Sequence, residues 1–158
     1  MDHSSLSLPR LNFSEYEFSI SSGEKGFVIF DPARRKKVKL TPEEWVRQHI
    51  VRFLMHEKKT PVSLIGVEKS LKIGRMQKRF DIVVFTKQFK PLLLIECKAP
   101  DVMLDVNVLN QVARYNSVLK AKYFMLTNGL NTIQFYFNYP DNKFVFINNL
   151  PDYSEMLA

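Results

Sequence analysis

The sequence predicts an α/β domain in which helices flank a mixed central sheet and extra β-hairpins occupy both ends of the chain. Three observations lead to this fold class. Short runs rich in Val, Ile, Leu and Phe alternate with two stretches of helical periodicity. The elements follow the order helix, three strands, helix, strand, which is typical of α/β layers. A length of 158 residues, with 46% hydrophobic and 25% charged, suits one domain over residues 1–158.

The N-terminal part of the chain predicts a β-hairpin within residues 13–40. Aromatic and β-branched residues at 13–20 and at 27–30 flank a polar sequence, 21–24, that contains glycine. Two such runs around a short glycine-containing loop are typical of a hairpin. We therefore expect this hairpin to precede the core of the domain.

The first helix is predicted to begin after Thr41 and to run to about His56. Thr41 is a suitable N-cap, Pro42 fits the first helical position, and Glu44 completes a capping box. Apolar residues recur at helical spacing and predict the face that packs against the sheet. Glu43 lies at the N-terminal end of this buried stripe.

Three strands are predicted next, over about 63–71, 79–86 and 92–98. Residues 87–91 separate the last two strands and predict a hairpin turn. The third strand contains the most continuous apolar run, so we expect it to be the most buried.

A second helix over about 104–120 is followed by a buried strand at 123–126 and by a C-terminal hairpin over 132–148. A helical crossover usually places the two strands that it joins parallel in one sheet. The strand at 123–126 should therefore lie parallel to the strand at 92–98.

Composition excludes several classes of protein. The single cysteine, Cys97, excludes an internal disulfide framework and fits a reducing compartment. No segment approaches the roughly 20 apolar residues of a membrane-spanning helix. Residues 1–10 lack the apolar core of a signal peptide. We therefore expect a cytoplasmic protein with no membrane partner.

The chain carries a formal net charge of +7 and has a pI near 9.5. This balance favours association with polyanions, and with nucleic acid first among them. Part of the excess is concentrated in Arg34-Arg35-Lys36-Lys37-Val38-Lys39. Two interpretations of this run carry equal weight, a solvated loop or a contact with the phosphate backbone of DNA.

Charged residues lie near the start of one predicted strand and near the end of the next. Asp81 precedes one apolar run, whereas Glu96 and Lys98 follow the apolar run 92–95. Because side chains alternate along a strand, Glu96 and Lys98 share one face and Cys97 points to the other. Buried charges are costly unless they are paired or bound to a metal. If the two strands are neighbours, two carboxylates and one ammonium group converge at one edge of the sheet.

This combination suits phosphodiester hydrolysis. The two carboxylates, a backbone carbonyl assigned to Cys97, and water are the hard oxygen ligands that Mg²⁺ prefers, with Mn²⁺ as the alternative ion. Lys98 can hold the attacking water or the phosphate. Glu43 can reach from the first helix to bind a second metal ion or to orient a water; Glu44 competes for this role, although its capping position already explains it. Taken singly, each strand carboxylate also suits an ordinary ion pair with a neighbouring basic residue.

Asp81, followed by Glu96-x-Lys98 and preceded by a glutamate-bearing helix, resembles the PD-(D/E)xK nuclease superfamily. More narrowly, four segments in the same order resemble the N-terminal nuclease domain of type I restriction enzyme R (motor) subunits and its free-standing short relatives. These segments are residues 78–84, 96–100, 111–116 and 127–129. The resemblance covers about residues 41–129, which we take as the core of the domain.

The resemblance implies a restriction-endonuclease-like fold and Mg²⁺-dependent cleavage of DNA. It implies that Asp81 and Glu96 are metal ligands and that Lys98 is catalytic. Gln111 and Tyr115 lie four residues apart on one face of the second helix. In the family they correspond to a Q-x-x-x-Y motif, and here they are expected to contact DNA or to support the catalytic strand.

Two departures from the family pattern matter. Phe80 replaces the proline of the family name, and this change removes no ligand. The 158 residues contain no G-x-x-x-x-G-K-[ST] loop, so we expect no nucleotide-driven motor in this chain.

Three functions therefore compete. The first is a Mg²⁺-dependent deoxyribonuclease, and the alternative is a DNA-binding module with a nuclease fold that is weakly active or inactive without a partner. The third is an interaction domain whose charge only keeps it in solution. The intact set of Asp81, Glu96 and Lys98 favours the first function, and the basic excess disfavours the third. The sequence leaves open whether the domain forms a homodimer or acts with a partner protein.

Overall fold

The strands form two separate sheets in the computed structural model, which describes residues 6–158. The first five residues of the predicted domain lie outside the described residues. The strands are β1 Ile20–Gly23, β2 Gly26–Asp31, β3 Lys36–Lys39, β4 Ile65–Ile73, β5 Met76–Phe85, β6 Pro91–Cys97, β7 Tyr123–Thr127, β8 Thr132–Asn138 and β9 Lys143–Phe146. The first three form one sheet, and the other six form a second sheet in the order β4-β5-β6-β7-β8-β9.

Helices α1 Pro42–His56 and α2 Asn107–Leu119 pack on the six-stranded sheet, and a short helix, α3 Tyr153–Met156, follows β9. The start of α1 is confirmed, because the Glu44 N–H donates to Thr41 Oγ1 at 3.0 Å. α2 begins three residues later than predicted. No helix in the described part of the chain is long and apolar enough to cross a membrane.

The six-stranded sheet has the predicted mixed topology. β4, β5 and β6 form an antiparallel meander, and α2 then carries the chain over to β7, which lies parallel to β6. β8 and β9 continue the same sheet as antiparallel strands. The α/β fold class is therefore confirmed, and the C-terminal hairpin extends the central sheet.

Alternation along β6 divides its side chains between two cores. Leu93, Ile95 and Cys97 pack on the face that α1 covers, whereas Leu94 packs on the face that α2 covers. Glu96 belongs to the α2 face by the same alternation, as predicted. β7 is buried along its whole length, so it is more buried than β6, contrary to our expectation.

The N-terminal segment differs from its prediction in two respects. Only the end of the predicted strand at 13–20 is extended in a sheet; the aromatic residues before it pack on α1 instead, with Phe13 against Phe53 and Phe18 against Trp45. The basic run also contributes a third strand, β3, which pairs with β2. The loop interpretation of that run is therefore wrong for residues 36–39.

Two glycines with positive φ make a matched test of packing. Gly129 has φ +86°, and a Cβ there would lie 2.8 Å from the buried Leu11 Cδ2, whereas Gly74 has φ +62° and open space around it. Left-handed backbone costs an alanine about 1 kcal/mol or more, and forced overpacking adds about 1–3 kcal/mol. We expect Gly129→Ala to lower the free energy of unfolding in urea by about 2–4 kcal/mol and Gly74→Ala by about 1 kcal/mol. Equal losses in both variants would show that Leu11 does not pack against Gly129.

Candidate active site

β5 and β6 separate at Asp81, and this separation shapes the candidate site. The β5–β6 ladder pairs Ile82 with Ile95. At the next position the Cys97 N–H donates to Asp81 Oδ2, at 2.8 Å. On the other side of β5, the pairing with β4 skips Asp81 and Glu68. A carboxylate side chain thus takes the place of a backbone acceptor where the strands diverge.

The backbone of β4 is distorted at Glu68, opposite Asp81 in the interrupted β4–β5 pairing. The φ of Glu68 is +52°, a conformation that residues other than glycine rarely adopt. Phe80 packs on the α2 face of the sheet and Ile82 on the α1 face, although residues two apart in a regular strand share a face. The Asp81 side chain between them reaches both β6 and α1.

Glu96 is a buried acid beside another acid. Its side chain is 17% exposed, and its Oε1 is buried with no hydrogen-bond partner in the described residues, with Lys78 Nζ 3.7 Å away. Burial raises the pKa of Glu96 to about 8, and Asp81 adds to the rise by accepting a hydrogen bond from the protonated form and repelling the charged form. Lys78 and Lys98 oppose this rise. The charged form of a carboxylate in this state is stabilised by a positive charge placed beside it.

Glu96 and Lys98 line a cavity of about 70 Å³ against α2. Gln111 and Tyr115 line the same cavity from the helix, and Lys78 lines it from β5. Tyr115 is half-buried and Gln111 is exposed. The structure therefore brings together the four polar residues that the sequence placed on β6 and on one face of α2.

Arg47 joins α1 to Asp81. Its Nη2 lies 2.8 Å from Asp81 Oδ1 and 3.0 Å from Glu43 Oε1, while its Nη1 pairs with Glu44 and lies 3.7 Å from Glu68 Oε1. Sequence reasoning missed this residue. The signal in the sequence was the spacing of four residues between Glu43 and Arg47, which places both side chains on the same side of the helix. Glu43 therefore lies near Asp81, as predicted, but with a guanidinium group between them.

Arg34 belongs to the same network of ion pairs. It contacts Asp31, Glu44 and Glu68, and its side chain is only 13% exposed. The expected phosphate contact is therefore wrong for Arg34, because its donors already face three carboxylates. The carboxylate of Glu44 likewise pairs with Arg34 and Arg47, so it does not complete the predicted capping box. Glu68 is 38% exposed and also contacts this network.

The oxygen atoms of Asp81 and Glu96 fit a divalent cation. Each Asp81 oxygen accepts one hydrogen bond, from Arg47 or from the Cys97 N–H, and so keeps a free lone pair. Burial raises the pKa of the Cys97 thiol, and the side chain packs in the α1-side core, so Cys97 offers only its backbone carbonyl. No group of three His, Cys, Asp or Glu side chains within residues 6–158 is arranged to hold a metal ion. Carboxylate, carbonyl and water oxygens are the ligands that suit Mg²⁺.

Two basic surfaces border this site. Arg35, Lys36, Lys37 and Lys39 are exposed, and the three lysines line a cleft of about 670 Å³ that Glu43 also lines. The other surface is a two-stranded arm formed by β4 and β5 beyond Asp81, where β6 no longer pairs with β5.

Sequence reasoning missed the arm, although its charge was visible. Residues 69–79 contain five basic residues and no acidic residue, and four of the five are exposed. They are Lys69, Lys72, Arg75, Lys78 and Arg79. The arm reaches the cavity of Glu96 through Lys78, and the cleft at β3 reaches the site at Glu43 and Arg47.

The fold and the site define a restriction-enzyme-like nuclease domain. The family of type I restriction enzyme R protein N termini matches residues 42–151 of the chain, and the chain belongs to this family. The resemblance predicted from residues 41–129 is confirmed, and the match extends it through the C-terminal hairpin. No curated protein matches the chain.

Solved structures support the fold. A fragment of a protein described as an HsdR subunit of a type I restriction enzyme from Vibrio vulnificus YJ016 superposes with a TM-score of 0.53 at 20% identity. That alignment covers 75% of this chain and 25% of the other, so this chain spans about a quarter of the length of that relative. A protein described as a nuclease belonging to DUF820, from Anabaena variabilis ATCC 29413, gives a TM-score of 0.50 at 12% identity, with 85% of each chain covered.

The state of Glu96 predicts how the stability of the metal-free protein depends on pH. Because the pKa of Glu96 is raised from 4.5 to about 8, the folded state holds its proton more tightly than the unfolded state. This contribution to stability is complete below pH 4.5 and is lost as the pH rises through 8, at up to about 1.4 kcal/mol per pH unit. We expect Glu96→Gln to remove this slope when unfolding is followed in urea and EDTA between pH 5.5 and 8.5.

The matched control is Glu24→Gln, an exposed position in the turn between β1 and β2. It should keep the slope of the wild type. A Glu96→Gln variant that follows the wild-type pH profile would contradict the buried-acid interpretation.

Proposed function

We propose that this domain hydrolyses phosphodiester bonds of DNA with a divalent metal ion, Mg²⁺ or Mn²⁺, at Asp81 and Glu96. One observation carries the proposal. The Asp81 and Glu96 carboxylates interact where β5 and β6 separate, and Glu96 Oε1 is buried with no hydrogen-bond partner within residues 6–158. Lys98 follows on the same strand and lines the same cavity as Glu96.

The residues of the site have separate roles in this proposal. Asp81, Glu96 and the carbonyl of Cys97 would hold the ion, which when bound polarises a phosphoryl oxygen and lowers the pKa of a coordinated water. Glu96 gives up its proton when it becomes a ligand. The Lys98 ammonium group donates to a phosphate oxygen or to the attacking water and offsets negative charge that develops there. Gln111 lines the cavity and offers an amide to the DNA.

Tyr115 has a supporting role in this proposal. Its ring packs edge-on against Phe80, with ring centroids 6.4 Å apart. Phe80 lies directly before Asp81 and is almost fully buried. The contact therefore links α2 to the strand that presents Asp81.

DNA is the proposed partner because basic surfaces border the site. Arg35, Lys36 and Lys37 would contact DNA phosphates along the cleft at β3. The basic residues of the β4–β5 arm would contact phosphates on the other side of the site. The proposal assigns no ATP-driven step to these 158 residues, which contain no phosphate-binding loop of the G-x-x-x-x-G-K-[ST] type.

A second function deserves a test, namely a DNA-binding module that cuts only with a partner. The chain spans about a quarter of the HsdR-type relative, so the remaining three quarters of such a protein have no counterpart here. In that case DNA binding would persist while cleavage by the isolated chain would be weak.

The first test of the proposal is cleavage of plasmid and linear DNA with Mg²⁺ or Mn²⁺. We expect Glu96→Ala and Lys98→Ala to lower the cleavage rate by about 10²-fold or more, because each removes a group that stabilises the transition state. Lys87→Ala, at the exposed turn before β6, is the control for charge and should retain activity. Cleavage by the Glu96 and Lys98 variants at the wild-type rate would overturn the assignment of the site.

The DNA contact of β3 can be tested without cleavage. In EDTA, Lys36→Ala/Lys37→Ala should weaken DNA binding and reduce the slope of log affinity against log salt by about 2, since each phosphate contact contributes about 0.9. The control is Lys87→Ala/Lys90→Ala, which removes the same charge from the opposite end of β6. Identical slopes for both double variants would exclude a specific contact at β3.

A further inference from the structure

The guanidinium group of Arg47 lies between Glu43 and Asp81, where a second metal ion would bridge them. One nitrogen, Nη2, is 3.0 Å from Glu43 Oε1 and 2.8 Å from Asp81 Oδ1. We infer that Arg47 takes the place of a second metal ion, so that the site binds one divalent cation and Glu43 holds Arg47 instead of a metal. This inference rests on the proposed metal-dependent function.

Arg47 is fixed in its position by other ion pairs. Its Nη1 pairs with Glu44, which is 3% exposed, and Glu44 pairs in turn with Arg34. Arg34 is held by Asp31, a residue with no exposed surface. A guanidinium group that is buried and held at both terminal nitrogens cannot rotate away without leaving buried carboxylates unpaired.

The charge of Arg47 is fixed, because an arginine guanidinium group stays protonated in proteins. It contacts the carboxylates of Glu44 and Asp81 directly. A divalent ion that used Glu43 and Asp81 together would therefore meet a fixed positive charge at contact distance.

The network as a whole still favours one cation. Two arginines contact five carboxylates, which leaves an excess of negative charge around Asp81. The carboxylates are Asp31, Glu43, Glu44, Glu68 and Asp81. Glu96 lines the cavity against α2, whereas Arg47 reaches Asp81 Oδ1 from α1, which covers the other face of the sheet. A cation held by Asp81 and Glu96 on the α2 side would therefore leave the guanidinium group in place.

In this arrangement Arg47 is a positioning residue. It holds one oxygen of Asp81 while the Cys97 N–H holds the other, and so it fixes the plane of the carboxylate that binds the ion. It also supplies from the protein a positive charge that a second ion would otherwise bring.

The test is the number of Mn²⁺ ions bound by the full chain in the absence of DNA, measured by isothermal titration calorimetry. We expect one site in the wild type, one site with affinity within about threefold in Glu43→Gln, and at least tenfold weaker binding in Glu96→Gln. Two sites in the wild type, with one lost in Glu43→Gln, would overturn the inference but leave the proposed function intact. Absence of binding, or binding that Glu96→Gln does not change, would overturn both.

The variant Arg47→Met removes the charge and keeps an unbranched side chain. It should bind a second Mn²⁺ ion; a folded Arg47→Met protein that binds only one would count against the inference. If this variant does not fold, electron paramagnetic resonance of the wild type at saturating Mn²⁺ decides the question. An isolated six-line Mn²⁺ spectrum supports a single ion, and a spin-coupled spectrum of two neighbouring ions contradicts it.

Discussion

Two carboxylates, Asp81 and Glu96, are held side by side where β5 and β6 separate, and the rest of the site compensates for this unfavourable contact. Glu96 is fixed in position because β6 pairs with β5 on one side and β7 on the other. Asp81 is fixed because the Cys97 N–H and Arg47 each donate a hydrogen bond to one of its oxygens. The pKa of Glu96 is raised as a result, and Lys78 and Lys98 line the same cavity. Perturbed acids of this kind cluster at functional sites.

The ion network around Arg47 and Arg34 supports the same conclusion. Buried ion pairs are weak contributors to stability, and hydrophobic replacements are often neutral or better. The left-handed backbone at Glu68 costs about 1–3 kcal/mol more. Stability alone therefore does not explain why buried arginines and carboxylates meet beside Asp81. Fixing the position and charge of Asp81 does explain it, because the series of ion pairs that starts at Asp31 and Arg34 continues through Glu44 and Arg47 to that residue.

Local patterns predicted much of this molecule, and non-local contacts decided the rest. The Thr41 cap, the β5–β6 hairpin and the crossover to β7 follow from capping chemistry, turn residues and handedness. Strand alternation correctly placed Glu96 and Cys97 on opposite faces. The sequence could not reveal that Arg34 and Arg47 would face carboxylates from four separate elements, because each pairing depends on the assembled fold. The prediction of a strand at 13–20 was mostly wrong for a related reason, since Phe13 and Phe18 pack on α1 instead of pairing in a sheet.

The N-terminal sheet lies outside the family match, which begins at residue 42, yet it contributes to the site. Ile29 of β2 is fully buried, and Asp31 at the end of the same strand orients Arg34 towards Glu44 and Glu68. Without Arg34, Arg47 would be the one arginine in this network that pairs with Glu44. The single positive charge of Arg47 would then face the negative charges of Glu43, Glu44 and Asp81. The electrostatic balance at Asp81 therefore depends on a segment that the family pattern does not describe. A relative that has an acid at the start of α1 but a different N-terminal segment would need to neutralise that acid in another way.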